Sequence, residues 1–183
     1  IYNQFNERLL TPNVRWGEVH NLDLKSAYLQ ALMNFGLIKE ETFKLVNSLP
    51  KSSRLKAVGM LATTKNEFIY VNGEFTDFSA KKKELAKYFF LASKIVGDLL
   101  VKLANIVGEK QFIFFWVDGI YILNRSDHDY ELNLAKEIIE KEGFKYSYEL
   151  LTNFHTTEKS IIYNKGDTEK IFPLPKKEEK TLK

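Results

Sequence analysis

The run Phe114-Phe115-Trp116-Val117-Asp118-Gly119-Ile120-Tyr121-Ile122 constrains this chain more than any other. It is aromatic and aliphatic apart from one carboxylate and one glycine. That pattern predicts two short buried strands joined by a tight turn, with Asp118 held at the turn. A charge in such surroundings costs free energy unless a metal or a cation pairs with it. A second carboxylate, Asp23, ends another apolar run, within His20-Asn21-Leu22-Asp23-Leu24-Lys25-Ser26-Ala27-Tyr28. Two aspartates so placed are what a two-metal phosphoryl-transfer site needs.

Composition narrows the choices. A chain of 183 residues is most economically one domain and can bury a real core. With 44% hydrophobic residues it is globular rather than disordered. No apolar run reaches the length of a membrane span, so no membrane partner is expected. Residues Ile1 to Leu10 lack a signal-peptide pattern. Opening at Ile1 rather than Met fits a processed product or a piece of a longer protein. The absence of cysteine excludes disulfides and thiolate metal sites and fits a cytoplasmic setting, the host cytoplasm if the source is viral. The histidines, His20, His128 and His155, do not have zinc-site spacing. A metal here is therefore expected to be a hard ion on carboxylates, Mg²⁺ or Mn²⁺. A net charge of +3 suits nucleic acid and many other partners alike.

Along the chain, residues 1–16 read as an irregular lead-in and Gly17 to Leu24 as a strand. Lys25 to Phe35 reads as a short helix stopped by Gly36, and Glu40 to Leu49 as another ended by Pro50. Leu55 to Thr63 is ambiguous between helix and strand. Asn72-Gly73, within Phe68 to Phe75, signals a hairpin with a type I′ turn. The strongest helix runs from Ser79 to about Val107, because Leu85, Tyr88, Phe89, Ala92, Ile95, Val96, Leu99, Leu100, Leu103 and Ile106 keep helical spacing. Strands follow at 111–117 and 119–124, then a helix at 128–142 capped by Ser126 or Asp127 and stopped by Gly143. Phe144 to Leu151 and Ser160 to Tyr163 read as strands. Residues 166–183 form a tail, charged from Lys176 onward.

The skeleton is strand, long helix, strand, strand, helix, strand. This is an α+β, ferredoxin-like (βαββαβ) layout with an antiparallel sheet and packed helices, and residues 36–78 form an insertion. In that layout the first and third strands lie side by side at the sheet centre. Asp23, ending the first, meets Asp118 at the turn before the third.

These residues resemble a known family. Asp23-Leu24-Lys25-Ser26-Ala27-Tyr28-Leu29 looks like motif A of family B DNA polymerases, Asp-x-x-Ser-Leu-Tyr-Pro. Phe115-Trp116-Val117-Asp118-Gly119-Ile120-Tyr121-Ile122 looks like their motif C, Tyr-Asp-Thr-Asp-Ser followed by aliphatic residues. The resemblance covers roughly residues 17–165, a palm-like domain in which 36–78 stands for reduced fingers. It implies a minimal palm carrying out DNA synthesis by two-metal nucleotidyl transfer, of phage or mobile-element type. Asp23 and Asp118 would be catalytic and would ligate the ions. Tyr28 would lie under the nucleotide sugar, and Arg54 and Lys56, in a shadow of motif B (Arg54 to Gly59), would hold the triphosphate. Glu149 is a further candidate ligand. The partners implied are DNA, nucleoside triphosphates and other replication proteins.

The chain also departs from the family's pattern. Trp116 replaces the first motif C aspartate and Leu29 replaces a proline. Trp116 is expected to pack by the sheet or turn, since indole offers no ligand lone pair. The alternative is a degenerate palm kept as a nucleic-acid- or protein-binding module, or an unrelated domain. In those cases Asp23 is a helix cap, Asp118 an Asp-Gly turn residue, Tyr28 core, and Lys81-Lys82-Lys83 the solvated start of a helix.

Overall fold

The computed structural model describes residues 3–62, 64–82, 84–125 and 129–175. The chain divides into two compact units, one of residues 1–25 and 97–183, the other of residues 26–96.

The first unit is built on an antiparallel sheet. Its strands are β1 (Asn3–Phe5), β2 (Arg15–Leu24), β5 (Phe112–Trp116), β6 (Gly119–Leu123), β7 (Tyr146–Thr156), β8 (Ser160–Lys165) and β9 (Thr168–Pro173). They lie in the order β1-β5-β6-β2-β7-β8-β9, so β2 and β6 are neighbours near the centre. Two segments that the sequence left irregular are therefore strands. β1 extends the sheet beside β5, and β9 pairs with β8 inside what the sequence suggested was a tail.

Register assigns side chains to faces, because directly opposed residues share one face and successive residues alternate. Asp23 opposes Gly119 and Ser147, Asn21 opposes Tyr121 and Glu149, and Val19 opposes Leu123 and Leu151. This face carries an apolar cluster that includes Val19, Phe114, Leu123, Leu151, Phe154 and Tyr163. Leu22, Ile120 and Tyr148 share the other face. There helix α5 (Asp129–Lys141) sets Lys136 Nζ 4.4 Å from the Tyr148 ring centroid. The second half of α4 (Ala86–Val107) lies beside α5, with Lys102 Nζ 2.6 Å from Glu142 Oε1. Gly143, at φ 80°, ends the α5 region as the sequence suggested. The proposed caps Ser126 and Asp127 lie outside the described residues.

The second unit begins with α1 (Ala27–Asn34), α2 (Glu40–Ser48) and α3 (Lys51–Gly59), followed by a 3₁₀ turn at Met60–Ala62. Leu55 to Ala62 is thus helical, and Thr63 lies outside the described residues. β3 (Thr64–Val71) and β4 (Glu74–Lys82) form a separate two-stranded sheet. Their turn has Asn72 at φ 53° and Gly73 at φ 87°, the left-handed pair that a type I′ turn requires.

The long helix starts later than its sequence suggested. Ser79 to Lys82 belong to β4, and α4 begins at Ala86. The polar run Ser79–Lys83 carries no helical periodicity. The spacing that marks the helix begins only at Leu85, so nothing local opposed pairing with β3. Lys81 and Lys82 are accordingly strand residues rather than a helix start, and Lys83 lies outside the described residues.

Candidate active site

Asp23 sits near the end of β2, and Asp118 in the turn between β5 and β6. Two backbone links place them side by side. Asp23 is the register partner of Gly119, the residue after Asp118. The Leu24 N–H donates to the Asp118 carbonyl at 2.9 Å. Both aspartates are half-buried. The sequence-level expectation that topology would bring these two residues together at the centre of an antiparallel sheet is therefore met in the backbone.

The turn itself is unusual. Trp116 pairs with Gly119, which leaves Val117 and Asp118 as a two-residue turn. The Asp118 N–H donates to the Trp116 carbonyl at 2.7 Å across Val117, whose φ is 58°. This is a γ-turn of the strained kind, and a β-branched residue in the left-handed region adds to the strain. Such strain costs on the order of 1–3 kcal/mol and persists only where the surroundings impose it. Glycine was expected within the turn as part of Asp-Gly; instead Gly119 is the first residue of β6.

Gly119 has a spatial role. A Cβ there would lie 3.1 Å from Asp23 Oδ1 and 3.5 Å from Asn21 Nδ2. The Asp23 carboxylate thus lies over the Gly119 position on β6, in room that a side chain there would take. Asn21, buried, donates from Nδ2 to the Ile120 carbonyl at 3.4 Å. The alternative reading of Asp23 as a helix cap does not hold. The cap position of α1 belongs to Ser26, at φ 49° and without a side-chain capping bond.

Around the pair lie groups that sequence reasoning passed over. Tyr121 stacks on Phe114, with ring centroids 4.0 Å apart, and its hydroxyl is 3.4 Å from that of Tyr163. Burial first, then Tyr163, and then the negative charges of Asp23 and Asp118 hold the Tyr121 hydroxyl far above its ordinary pKa. Burial likewise raises Tyr163. Glu149 Oε2 is 2.6 Å from Lys165 Nζ, and this bond is the main reason the Lys165 pKa is raised. Glu149 is on the Asp23 face but is held by a cation of the protein. Alternation along β2 was the available signal for Asn21; nothing local marked Lys165.

The remaining candidates belong to the second unit. Arg54 Nη1 donates to Asn47 Oδ1 at 2.9 Å and to Ser26 Oγ at 3.2 Å, so its guanidinium is anchored at the start of α1. Lys56 is exposed. Two residues apart on helix α3, Arg54 and Lys56 point to different sides and do not form one cationic cluster. The Tyr28 ring packs 5.6 Å from that of Phe89, with an interplanar angle of 54°.

A divalent ion is compatible with this donor set. Mg²⁺ commonly uses one or two carboxylates and takes its other ligands from water and substrate phosphates. Asp23 and Asp118 would be the two carboxylates. Among the described residues no group of three or more His, Asp or Glu gathers as a self-sufficient metal site. No described helix is long and apolar enough to cross a membrane. Neither a protein-family model nor a curated protein matches the chain.

Proposed function

We propose that this chain is a minimal family B DNA polymerase-like palm that performs two-metal nucleotidyl transfer on DNA, as part of a larger replication protein or complex. The observation that carries the proposal is the pairing of Asp23 with Gly119, the residue after the Val117–Asp118 turn, where Gly119 leaves room for the Asp23 carboxylate. The strand order β5-β6-β2-β7, with α4 and α5 as the crossovers, supports it, because a ferredoxin-like palm has that order.

In this reading Asp23 and Asp118 hold two Mg²⁺ or Mn²⁺ ions. When bound, such ions lower the pKa of an attacking 3′-hydroxyl and offset charge on the departing pyrophosphate. The chain's own work is placement. The Val117 turn and the Leu24–Asp118 bond hold the backbones of the two aspartates side by side, which supports a preorganised site. Lys165 keeps Glu149 neutralised, so the pair is not joined by a third repelling charge. Arg54, Lys56 and Tyr28 are the proposed nucleotide-binding residues, with Arg54 the best anchored.

A second reading, a degenerate palm acting as a nucleic-acid- or protein-binding module, is favoured by Trp116 at the place of an acid. Primer extension in Mn²⁺ by the wild-type chain, Asp23→Asn and Asp118→Asn separates the two. We expect weak extension by the wild type and none by either folded variant. Equal extension by all three removes the aspartates from the chemistry. DNA binding without extension by any of them favours the binding module.

A further inference from the structure

The register of the first unit sets one row of residues across the sheet at the level of the turn. Asn3 pairs with Trp116, Trp116 with Gly119, Gly119 with Asp23, and Asp23 with Ser147. Directly opposed residues share a face, so the indole of Trp116 and the carboxylate of Asp23 stand on the same side of the sheet. Between them is Gly119, which is buried, with the Asp23 carboxylate over its Cβ position. Two strand spacings separate β5 from β2, roughly 10 Å.

Trp116 is at odds with the rest of its strand. Phe112, Ile113, Phe114 and Phe115 are buried, whereas Trp116 is 42% exposed. Phe5 braces the indole from the β1 side at 6.0 Å and 57°. A large aromatic surface is thus held in place at the rim of the aspartate pair and left open to solvent. An indole cannot ligate a metal, but it offers a π-face that any base can stack on.

We propose that Trp116 is a stacking platform for the base of the 3′-terminal nucleotide of a DNA strand. This rests on the polymerase-like reading, which puts the 3′-hydroxyl near Asp23. The platform faces the same side as the carboxylate, two strand spacings away. An aromatic at the position where the resembling motif carries an acid then has a role of its own: it exchanges a ligand for a base contact.

The test is binding of a fluorescently labelled oligothymidylate to the full chain in EDTA, followed by anisotropy, so that neither metal nor turnover enters. The variants are Trp116→Ala and Trp116→Phe, and a second oligonucleotide lacks only its 3′-terminal base. Trp116→Ala is expected to weaken binding about tenfold, within the range for one stacked base, and Trp116→Phe much less. Removing the terminal base should weaken wild-type binding by the same factor and leave Trp116→Ala unaffected. Equal binding by wild type and Trp116→Ala overturns the proposal, as does an equal loss on base removal in both proteins, or no binding by the wild type. If the Trp116 coupling holds while primer extension fails in every protein, catalysis falls and the platform stands. If extension holds and the coupling is absent, the reverse is true.

Discussion

Gly119→Ala isolates what the site asks of its smallest residue. The new Cβ would meet Asp23 Oδ1 at 3.1 Å, where ordinary contact begins at 3.4 Å, so the carboxylate must yield by about 0.3 Å. The atom it meets belongs to a side chain that can rotate, and Gly119 has no left-handed φ to lose. Replacing such a glycine stabilises a fold by about 0.4–1 kcal/mol through the unfolded chain. That gain offsets much of the cost of the crowded contact, so net stability should stay within about 1 kcal/mol of wild type. Metal affinity should not be spared. Changes to the shell that orients a ligand cost about 10–100-fold, and a shift this small belongs near the lower end, about tenfold. Isothermal titration with Mn²⁺ and urea unfolding on the same preparations measure both quantities. Unchanged affinity would refute the view that Asp23, in the position Gly119 allows, is the ligand. A stability loss beyond about 2 kcal/mol would refute the view that only a movable side chain is in the way.

Two further substitutions probe the surroundings. Val117→Asn keeps the turn but replaces a β-branched residue at φ 58° with one that tolerates the left-handed region; urea unfolding should show a gain of about 1 kcal/mol, and a loss would mean that Val117 packing outweighs its strain. Tyr121 keeps its proton in the folded state to higher pH than in the unfolded chain. Its contribution is therefore complete below the ordinary tyrosine pKa of 10.0 and falls as pH rises above it. Tyr121→Phe should flatten the decline in stability above about pH 10, and an unchanged slope would remove Tyr121 as its source.

The parts of the fold that were legible share a physical cause. Asn72-Gly73 declared its hairpin because few other pairs accept two left-handed residues in succession. Leu85 to Ile106 declared a helix because a buried stripe must repeat with the helical turn. Where side chains carry no period, pairing decided, and Ser79–Lys82 went to β4. β1, with only Asn3–Phe5, is too short to show alternation, and its place is set by β5. β9 followed a Gly166-Asp167 turn whose signal was passed over as tail. At the site, Asp23 and Asp118 stood out because isolated charges in apolar runs are conspicuous. The role of Gly119 as spacer was invisible, because an Asp-Gly pair reads equally well as a turn. The Glu149–Lys165 pair joins separate strands and no local pattern encodes it.

In the proposed function Asp23 and Asp118 share a divalent ion. Electron paramagnetic resonance of Mn²⁺ titrated into the chain tests it directly, because bound ion loses the free-ion signal. The account predicts binding by the wild type that is lost in both Asp23→Asn and Asp118→Asn, with circular dichroism unchanged in each. Equal binding by all three proteins, or none by the wild type, would contradict it.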